Sequence, residues 1–279
     1  MVARKLLSPA DVRELARRYG ITPSKALGQN FVIDQNTIRR IVRLAEIQPS
    51  DRVVEVGAGL GTLTLGLAEA ASSVTAIELD RKLVPALEEV VQGIANVRIV
   101  VGDAMRLDYG PLLGQPPYRM VANLPYNIAT PLLAGLLQER PEITDFVVMV
   151  QREVGERFVA APGSKTYGGV SVLVAYHAEA RALGRVPPSV FWPVPKVESI
   201  LVRLTRRPLT GDVGGEELMR VVRAAFGQRR KTVRNTLASG LEMDPADVEA
   251  ALDDAGIDPG RRAESLSLEE FAGLVRALR

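Results

Sequence analysis

The sequence predicts a large α/β domain built on a parallel sheet, followed by a small helical domain. Between residues 52 and 158, short and continuously apolar segments alternate with segments of helical spacing. This alternation is typical of a parallel sheet that helices cover on both faces. The composition changes at a linker-like stretch, 206–215, and the segments beyond it have the apolar spacing of short amphipathic helices. We therefore predict domains over 1–207 and 208–279.

The pattern of each segment predicts one element. Ser8-Pro9 provides the N-cap and first-turn proline of an N-terminal helix, and Gly20 ends it. Strands of the parallel sheet are predicted at 52–57, 73–80, 97–104, 118–125 and 145–151, and helices at 35–47, 61–71, 81–94, 131–140 and 152–161. Antiparallel edge strands are predicted at 171–186 and 197–207, with a proline-rich loop at 186–196 between them. Amphipathic helices of the small domain are predicted at 216–241, 244–257 and 267–278.

Composition excludes several classes of protein. The chain has 279 residues, of which 47% are hydrophobic and 24% charged, and this suits a globular protein with a sizeable core. No apolar run approaches the roughly 18 residues that span a bilayer, and the N-terminus has no signal-peptide pattern. We therefore expect no membrane contact and a cytoplasmic location. Cysteine is absent and His177 is the only histidine, which rules out disulfides and thiol catalysis and predicts no metal site.

A glycine-rich turn follows the first strand of the sheet, in VVEVGAGLGTLT. Gly57 and Gly59 let the backbone approach a ligand closely and open the N-terminus of the next helix towards it. A dinucleotide fingerprint, G-x-G-x-x-G, has glycine or alanine at its sixth position, where this chain has Thr62. A nicotinamide-dependent dehydrogenase is therefore disfavoured, also because no histidine lies near the predicted crevice.

Acidic residues end the next two strands. Glu78 ends the second strand, about twenty residues after the glycine turn, where a carboxylate can accept hydrogen bonds from both hydroxyls of a ribose. Asp103 ends the third strand, where it can accept from an adenine amino group. The carboxyl ends of strands in an open parallel sheet line one crevice, so these groups converge on one ligand. The ligand that fits them is S-adenosylmethionine.

The fourth strand ends in Asn123-Leu124-Pro125-Tyr126, at the same crevice. Methyl transfer to an exocyclic amine is difficult because the nitrogen lone pair is delocalised into the ring. The side-chain carbonyl of Asn123 and the backbone carbonyl of Leu124 can accept hydrogen bonds from the amine as positive charge develops. Pro125 stiffens the loop and adds no N–H donor, and Tyr126 offers a flat face for a flipped-out base. Catalysis would then consist of in-line positioning and electrostatics, without a strong base.

The chain resembles the bacterial small-subunit ribosomal RNA adenine N6,N6-dimethyltransferase family. The similarity runs from KALGQNFVIDQ through VEVGAGLGTLT, AIELDRKL, NLPYNIATPLL and PPSVFWPVPKVESILVRL to FGQRRKTVRNTL. It implies a Rossmann-like class I S-adenosylmethionine-dependent methyltransferase domain with a small C-terminal α-helical, RNA-binding domain. It also implies dimethylation of two adjacent adenines near the 3′ end of 16S rRNA, within a pre-ribosomal 30S particle, and a role in small-subunit biogenesis.

The resemblance also implies roles for individual residues. Asn30 and Val32 would cover the cofactor, Gly57 would lie against its amino acid portion, and Asn123 would lie at the methyl group. Glu78 and Asp103 keep the ribose and adenine assignments given above. The chain departs from the family pattern at Val32, Ala58 and Ala129, where leucine, proline and serine respectively are common. The first two would meet the cofactor mainly through backbone or apolar surface, and Ala129 bears on the packing behind the Asn123–Tyr126 loop.

A basic block lies between residues 203 and 234, with nine basic residues against three acidic ones in a chain of net charge +2. Such a block indicates contact with a polyanion or, more commonly, a solvated helix face. The resemblance favours RNA phosphate contact by Arg229, Arg230, Lys231 and Arg234, with strong salt dependence. For Phe191-Trp192 two readings stay open, a platform for the base or a hydrophobic anchor.

Two other functions remain compatible with the sequence. One is a methyltransferase acting on adenine of large-subunit rRNA or of DNA, which would share the early motifs. The other is a ribosome-assembly factor for which binding matters more than catalysis. An intact Glu78, Asp103 and NLPY sequence argues against a purely binding protein. We also expect a monomer, because no long apolar face is left over.

Overall fold

The structure is a computed structural model that describes residues 6–279 with the exception of 115, 210 and 229. Its strands are β1 (Phe31–Val32), β2 (Arg52–Val56), β3 (Ser73–Glu78), β4 (Val97–Val101), β5 (Tyr118–Asn123), β6 (Ile143–Gln151), β7 (Ala178–Val186), β8 (Phe191–Trp192) and β9 (Ser199–Arg206). Its helices are α1 (Pro9–Arg18), α2 (Gln35–Ala45), α3 (Thr62–Ala70), α4 (Val84–Val91), α5 (Tyr109–Leu113), α6 (Ala129–Glu139), α7 (Arg152–Phe158), α8 (Gly169–His177), α9 (Gly215–Ala225), α10 (Val233–Leu241), α11 (Pro245–Asp254) and α12 (Leu268–Ala277). Short 3₁₀ turns occur at Pro188–Val190 and Ala263–Ser265.

A seven-stranded sheet in the order β4-β3-β2-β5-β6-β9-β7 forms the centre of the fold. Strands β2 to β6 pair in parallel, as the continuously apolar segments predict, and β9 runs antiparallel to β6. The chain proceeds outward from β2 to β4 on one side and returns to β5 on the other. The strand order therefore reverses between β2 and β5, which is where open α/β sheets bind ligands at the carboxyl ends of their strands.

The chain forms two compact units. The first comprises residues up to Gly155 together with Arg181–Arg206, and the second comprises Glu156–Ala180 together with Arg207–Arg279. The domain boundaries predicted from the sequence, 1–207 and 208–279, differ from this grouping in residues 156–180. The chain passes from the first unit to the second at residue 156, returns at 181 and passes to the second again at 207. The composition changes only at the last of these points, in the linker-like stretch 206–215, so the sequence did not indicate that 156–180 belongs to the second unit.

The second unit is held together by contacts between residues 156–180 and the C-terminal helices. The Tyr167 hydroxyl donates to the carbonyl of Leu266 at 2.9 Å. The ring of Phe226 lies 6.1 Å from Tyr167 and 6.0 Å from Phe271, measured between centroids. These buried aromatic contacts explain why residues 156–180 belong with the C-terminal helices.

The strand predicted at 171–186 is wrong in its first half. Residues 169–177 form α8, and the strand begins only at Ala178. The apolar run from Val172 to Val174 is buried, and such a run suits a buried helix and a buried strand equally well. The antiparallel direction predicted for the later segment is confirmed for β9. Of the two segments predicted as edge strands, only β7 lies at an edge of the sheet, because β9 lies between β6 and β7.

The helix predicted at 216–241 is two helices, because α9 ends at Ala225 and α10 begins at Val233. Gly227 lies at the break, where the absence of a side chain lowers helix propensity. The N–H of Gly227 donates to the Ala224 carbonyl at 3.2 Å, which closes the last turn of α9. Among the predicted basic residues that the structure describes, Arg230 and Lys231 therefore precede α10, and Arg234 lies on it.

None of the helices in the described part of the chain is both long and apolar enough to cross a membrane.

Candidate active site

The carboxyl ends of β2, β3, β4 and β5 line a single crevice, together with the N-terminal loop 27–31. This is where the sequence placed the ligand site. The crevice contains nine residues that the sequence singled out, namely Asn30, Gly57, Gly59, Glu78, Asp103, Asn123, Leu124, Pro125 and Tyr126. Val32 is not among its lining residues; its side chain is buried in the core of the first unit, where Val32 pairs with Phe191.

The glycine turn after β2 requires glycine for two reasons. Gly57 and Gly59 have φ of 76° and 58°, in the left-handed region that side chains disfavour. A Cβ on Gly57 would lie 3.1 Å from Cδ of Pro125, and a Cβ on Gly59 would lie 2.8 Å from Cδ1 of Phe31. The turn is therefore packed directly against the Asn123–Tyr126 loop on one side and the N-terminal loop on the other.

Glu78 ties the ends of β2 and β3 together. Its Oε2 accepts from the N–H of Gly59 at 2.8 Å, and its Oε1 accepts from the N–H of Asp80 at 2.8 Å. The side chain is buried, and this burial raises the pKa of the carboxyl, although the backbone hydrogen bonds oppose the shift. Each carboxylate oxygen has a further lone pair, so Glu78 can accept hydroxyl groups while it holds the glycine turn.

Asp103 lies in a more open part of the crevice. Its Oδ1 accepts from the N–H of Met105 at 2.9 Å, and its Oδ2 lies 3.6 Å from Nε of Arg106. The side chains of Leu79 and Met105 also line the crevice and are 51% and 44% exposed. An acidic acceptor between exposed apolar side chains suits a flat heterocycle that carries an amino group.

The amide of Asn123 is oriented by the N-terminal loop. Its Nδ2 donates to the backbone carbonyl of Asn30 at 2.9 Å. The side chain of Asn30 donates in turn to the carbonyl of Gly28 at 3.2 Å, which fixes the loop locally. Because the nitrogen end of the Asn123 amide is engaged, its carbonyl Oδ1 is the end that can accept a hydrogen bond in the crevice.

The three residues after Asn123 have separate roles in the loop. The Leu124 side chain is buried and its N–H donates to the carbonyl of Met149 on β6 at 3.1 Å. Pro125 packs on Gly57. The Tyr126 hydroxyl lies 2.7 Å from Oγ of Ser199, and burial raises the pKa of this phenol.

The N-terminal loop is itself attached to the sheet. Gln29 donates from Nε2 to Oδ2 of Asp80 at 2.9 Å and accepts from the N–H of Ser24 at 2.7 Å. Before the loop, at the end of α1, the two terminal guanidinium nitrogens of Arg18 donate to the carboxylate of Glu89 on α4. Gln29 and Ser199 were not predicted as site residues, although both lie inside segments that carry the family resemblance.

Phe191 and Trp192 lie on a short strand beside the N-terminal loop. They form β8 and pair antiparallel with Val32 and Phe31 of β1. Phe191 is 1% exposed, and the rings of Phe31 and Trp192 lie 6.1 Å apart between centroids. Of the two readings that the sequence left open, the structure supports the anchor for Phe191, because a fully buried ring has no face for a base.

The predicted basic residues of the second unit are placed unequally. Arg229 lies outside the described residues. Arg230 and Lys231 are exposed in the segment between α9 and α10. Arg234 lies on α10 with its Nε 2.8 Å from Oε2 of Glu249, so part of its charge is already compensated.

A groove between α9 and α10 adds two arginines to this surface. Arg220 and Arg223 line it together with Gln228 and Ser239. The two helices touch at its floor, where a Cβ on Gly240 would lie only 2.7 Å from the Ala224 Cβ. Neither arginine forms an ion pair with any residue that the structure describes, so both are available to a negatively charged partner.

No group of three or more histidine, aspartate or glutamate side chains in the described part of the chain is arranged to hold a metal ion.

Comparisons with known proteins assign the chain to a family. The family model for ribosomal RNA adenine dimethylase matches residues 22–279. The ribosomal RNA small subunit methyltransferase A of Kineococcus radiotolerans is 51% identical over 272 residues, which cover 96% of this chain and 90% of the relative. The protein of the same name from Moorella thermoacetica is 47% identical, over 97% of this chain and 98% of its own.

Two solved structures resemble the chain over most of its length. The 23S rRNA methyltransferase ErmE is 29% identical, with a TM-score of 0.69 over 89% of this chain and 99% of its own. A dimethyladenosine transferase from Plasmodium falciparum, 24% identical with a TM-score of 0.74, covers 86% of this chain and 94% of its own and shares the fold. With a family model that spans nearly the whole chain and relatives of about half-identical sequence, the chain belongs to the ribosomal RNA adenine dimethylase family.

Proposed function

We propose that this protein is an S-adenosylmethionine-dependent methyltransferase that dimethylates the N6 amino groups of two adjacent adenines near the 3′ end of small-subunit rRNA. Family membership and the names of the half-identical relatives support the reaction and the substrate. One observation carries the assignment of the site. The Asn123 amide is held by the Asn30 carbonyl at 2.9 Å, so that its own carbonyl is an acceptor in the crevice beside Tyr126.

The crevice fits S-adenosylmethionine. Gly57 and Gly59 form a turn that a Cβ would fill, and in this proposal the amino acid portion lies along it. Glu78 would accept the ribose hydroxyls, and Asp103 would accept the adenine amino group between the apolar side chains of Leu79 and Met105. The bound cofactor would supply an electrophilic methyl group on a sulfonium.

The residues of the Asn123–Tyr126 loop would make the target amine nucleophilic. The Asn123 Oδ1 and the Leu124 carbonyl accept its two N–H groups, which localises the nitrogen lone pair and stabilises the positive charge that develops. Pro125 has no N–H that would compete for these acceptors. The ring of Tyr126 stacks on the flipped-out base and fixes the direction of attack. The surplus proton leaves the product nitrogen after transfer, so no strong base is needed.

The second unit would supply affinity for RNA. We propose that Arg229, Arg230 and Lys231 contact phosphates, joined by Arg220 and Arg223 in the α9–α10 groove. Arg234 would contribute less, because Glu249 already compensates its charge. Such contacts position an RNA without reading its bases. A monomer acting on a pre-ribosomal 30S particle in the cytoplasm, within small-subunit biogenesis, accords with this arrangement.

The proposed function is tested by methylation of purified ribosomal subunits. Labelled methyl groups should enter small subunits taken from a strain that lacks the protein, at two adjacent adenines, and should not enter large subunits. Asn123→Ala should abolish incorporation yet keep subunit binding, because the RNA-contacting residues are unchanged. Label in the large subunit would refute the proposed substrate, and full activity of Asn123→Ala would refute the proposed site.

A further inference from the structure

A buried serine holds the hydroxyl of Tyr126. Ser199 is the first residue of β9, opposite Gln151 of β6 in the antiparallel register, and its exposed fraction is 0%. Its Oγ lies 2.7 Å from the Tyr126 Oη. A buried hydroxyl without a hydrogen-bond partner is costly, so this pair satisfies both groups.

The contact fixes the tyrosine ring at both of its ends. The backbone of Tyr126 belongs to the loop after β5, where Leu124 is bonded to Met149 and Pro125 packs on Gly57. The far end of the ring is bonded to a strand 73 residues later in the chain. A ring held only through Cβ can swing about the Cα–Cβ bond, whereas the long axis of a ring that is also held at Oη has a fixed direction.

We propose that Ser199 is a positioning residue, which fixes where the long axis of the Tyr126 ring lies and so where the target adenine stacks. This inference rests on the proposed function, because it requires a base to stack there. The phenol stays protonated at neutral pH, since burial raises its pKa. The pair therefore acts through its geometry rather than by transferring a proton.

A double-mutant cycle with Ser199→Ala and Tyr126→Phe tests the proposal. Each single change removes one hydroxyl of the pair and leaves the aromatic ring in place. Each should lower kcat/KM for the small-subunit substrate on the order of tenfold. The Kd for S-adenosylmethionine should change less than twofold. The double variant should be no worse than the poorer single variant, because the second change removes a partner that has already lost its function.

Ser171→Ala is the matched control. Ser171 is also a buried serine, 2% exposed, and its Oγ donates to the Arg157 carbonyl at 2.7 Å in the second unit. It should lose stability but not kcat/KM. Additive losses in the cycle, or a fully active Tyr126→Phe, would overturn the proposal. The activity of Tyr126→Phe tests the proposal even if Ser199→Ala does not fold. A fully active Tyr126→Ala would instead contradict the stacking assigned under the proposed function.

Discussion

Gly57 shows how the backbone geometry of the glycine turn shapes the crevice. The positive φ of Gly57 and the 3.1 Å approach of Pro125 to its missing Cβ are separate constraints. The first concerns only the backbone of the turn, while the second couples the turn to the loop that carries Asn123. Substituting Gly57 would therefore affect both the stability of the chain and the shape of the site.

Gly57→Ala should weaken S-adenosylmethionine binding by about tenfold or more, because the added methyl displaces Pro125. Gly20→Ala is the control, since Gly20 has φ 60° with nothing within 4 Å of a Cβ. Both variants should lose roughly 1–2 kcal/mol of stability from the left-handed conformation alone. Calorimetric titration with the cofactor separates them, and equal affinities would show that Pro125 accommodates the methyl group.

Glu55 predicts a pH dependence of stability. It is 1% exposed, accepts from Thr64 Oγ1 at 2.6 Å, and burial raises its pKa to about 8. Below the unfolded pKa, about 4.5, the carboxyl is protonated in both states. Between about pH 4.5 and pH 8 the unfolded chain releases the proton while the folded chain retains it. The free energy of unfolding therefore falls as pH rises, by about 1 kcal/mol per pH unit.

Glu55→Gln removes this dependence, because glutamine is neutral at every pH. As pH rises from 5 to 8, the free energy of unfolding of the variant should increase relative to that of the unchanged protein. Any cost of burying the extra N–H groups of glutamine is the same at both pH values and does not affect this change. Urea unfolding at both pH values measures the difference. An identical change with pH in the two proteins would mean that Glu55 is ionised in the folded state.

At the scale of elements, the secondary structure was easiest to predict where the apolar pattern of a segment fitted only one kind of element. Strands β2 to β6 are mostly apolar, and the residues at their ends that line the crevice could be predicted from strand order alone. The β1–β8 pair was not predictable, because two residues carry no periodicity and their partners are distant in the chain. The hydrogen bond between Ser199 and Tyr126 was not predictable for the same reason, because the two residues are 73 positions apart in the chain.

The α9–α10 groove predicts a measurable contribution to RNA binding. Arg220→Ala combined with Arg223→Ala should weaken binding to small-subunit rRNA and reduce the slope of log affinity against log salt by about one to two, one phosphate per arginine. Arg276→Ala is a control, because Arg276 is paired with Asp212 at 2.9 Å. An unchanged slope in the groove variant would exclude these two arginines from the RNA surface while leaving Arg230 and Lys231 in place.

At the scale of the whole molecule, the division into two units predicts how stability is distributed. Residues 156–180 contact the C-terminal helices through the rings of Tyr167, Phe226 and Phe271. These segments should therefore unfold together, although they are distant in sequence. Phe271 is fully buried. Phe271→Ala should cost about 3–5 kcal/mol of local stability.

Hydrogen exchange measures where this loss appears. In Phe271→Ala, protection should fall in 156–180 and in the C-terminal helices alike, because one aromatic cluster supports both. Strands β2 to β6 should keep their protection, and S-adenosylmethionine binding should be retained, since the crevice lies within the first unit. Loss of protection in the C-terminal helices alone would mean that residues 156–180 are stabilised by the first unit, as the sequence-based boundary at 207 predicts.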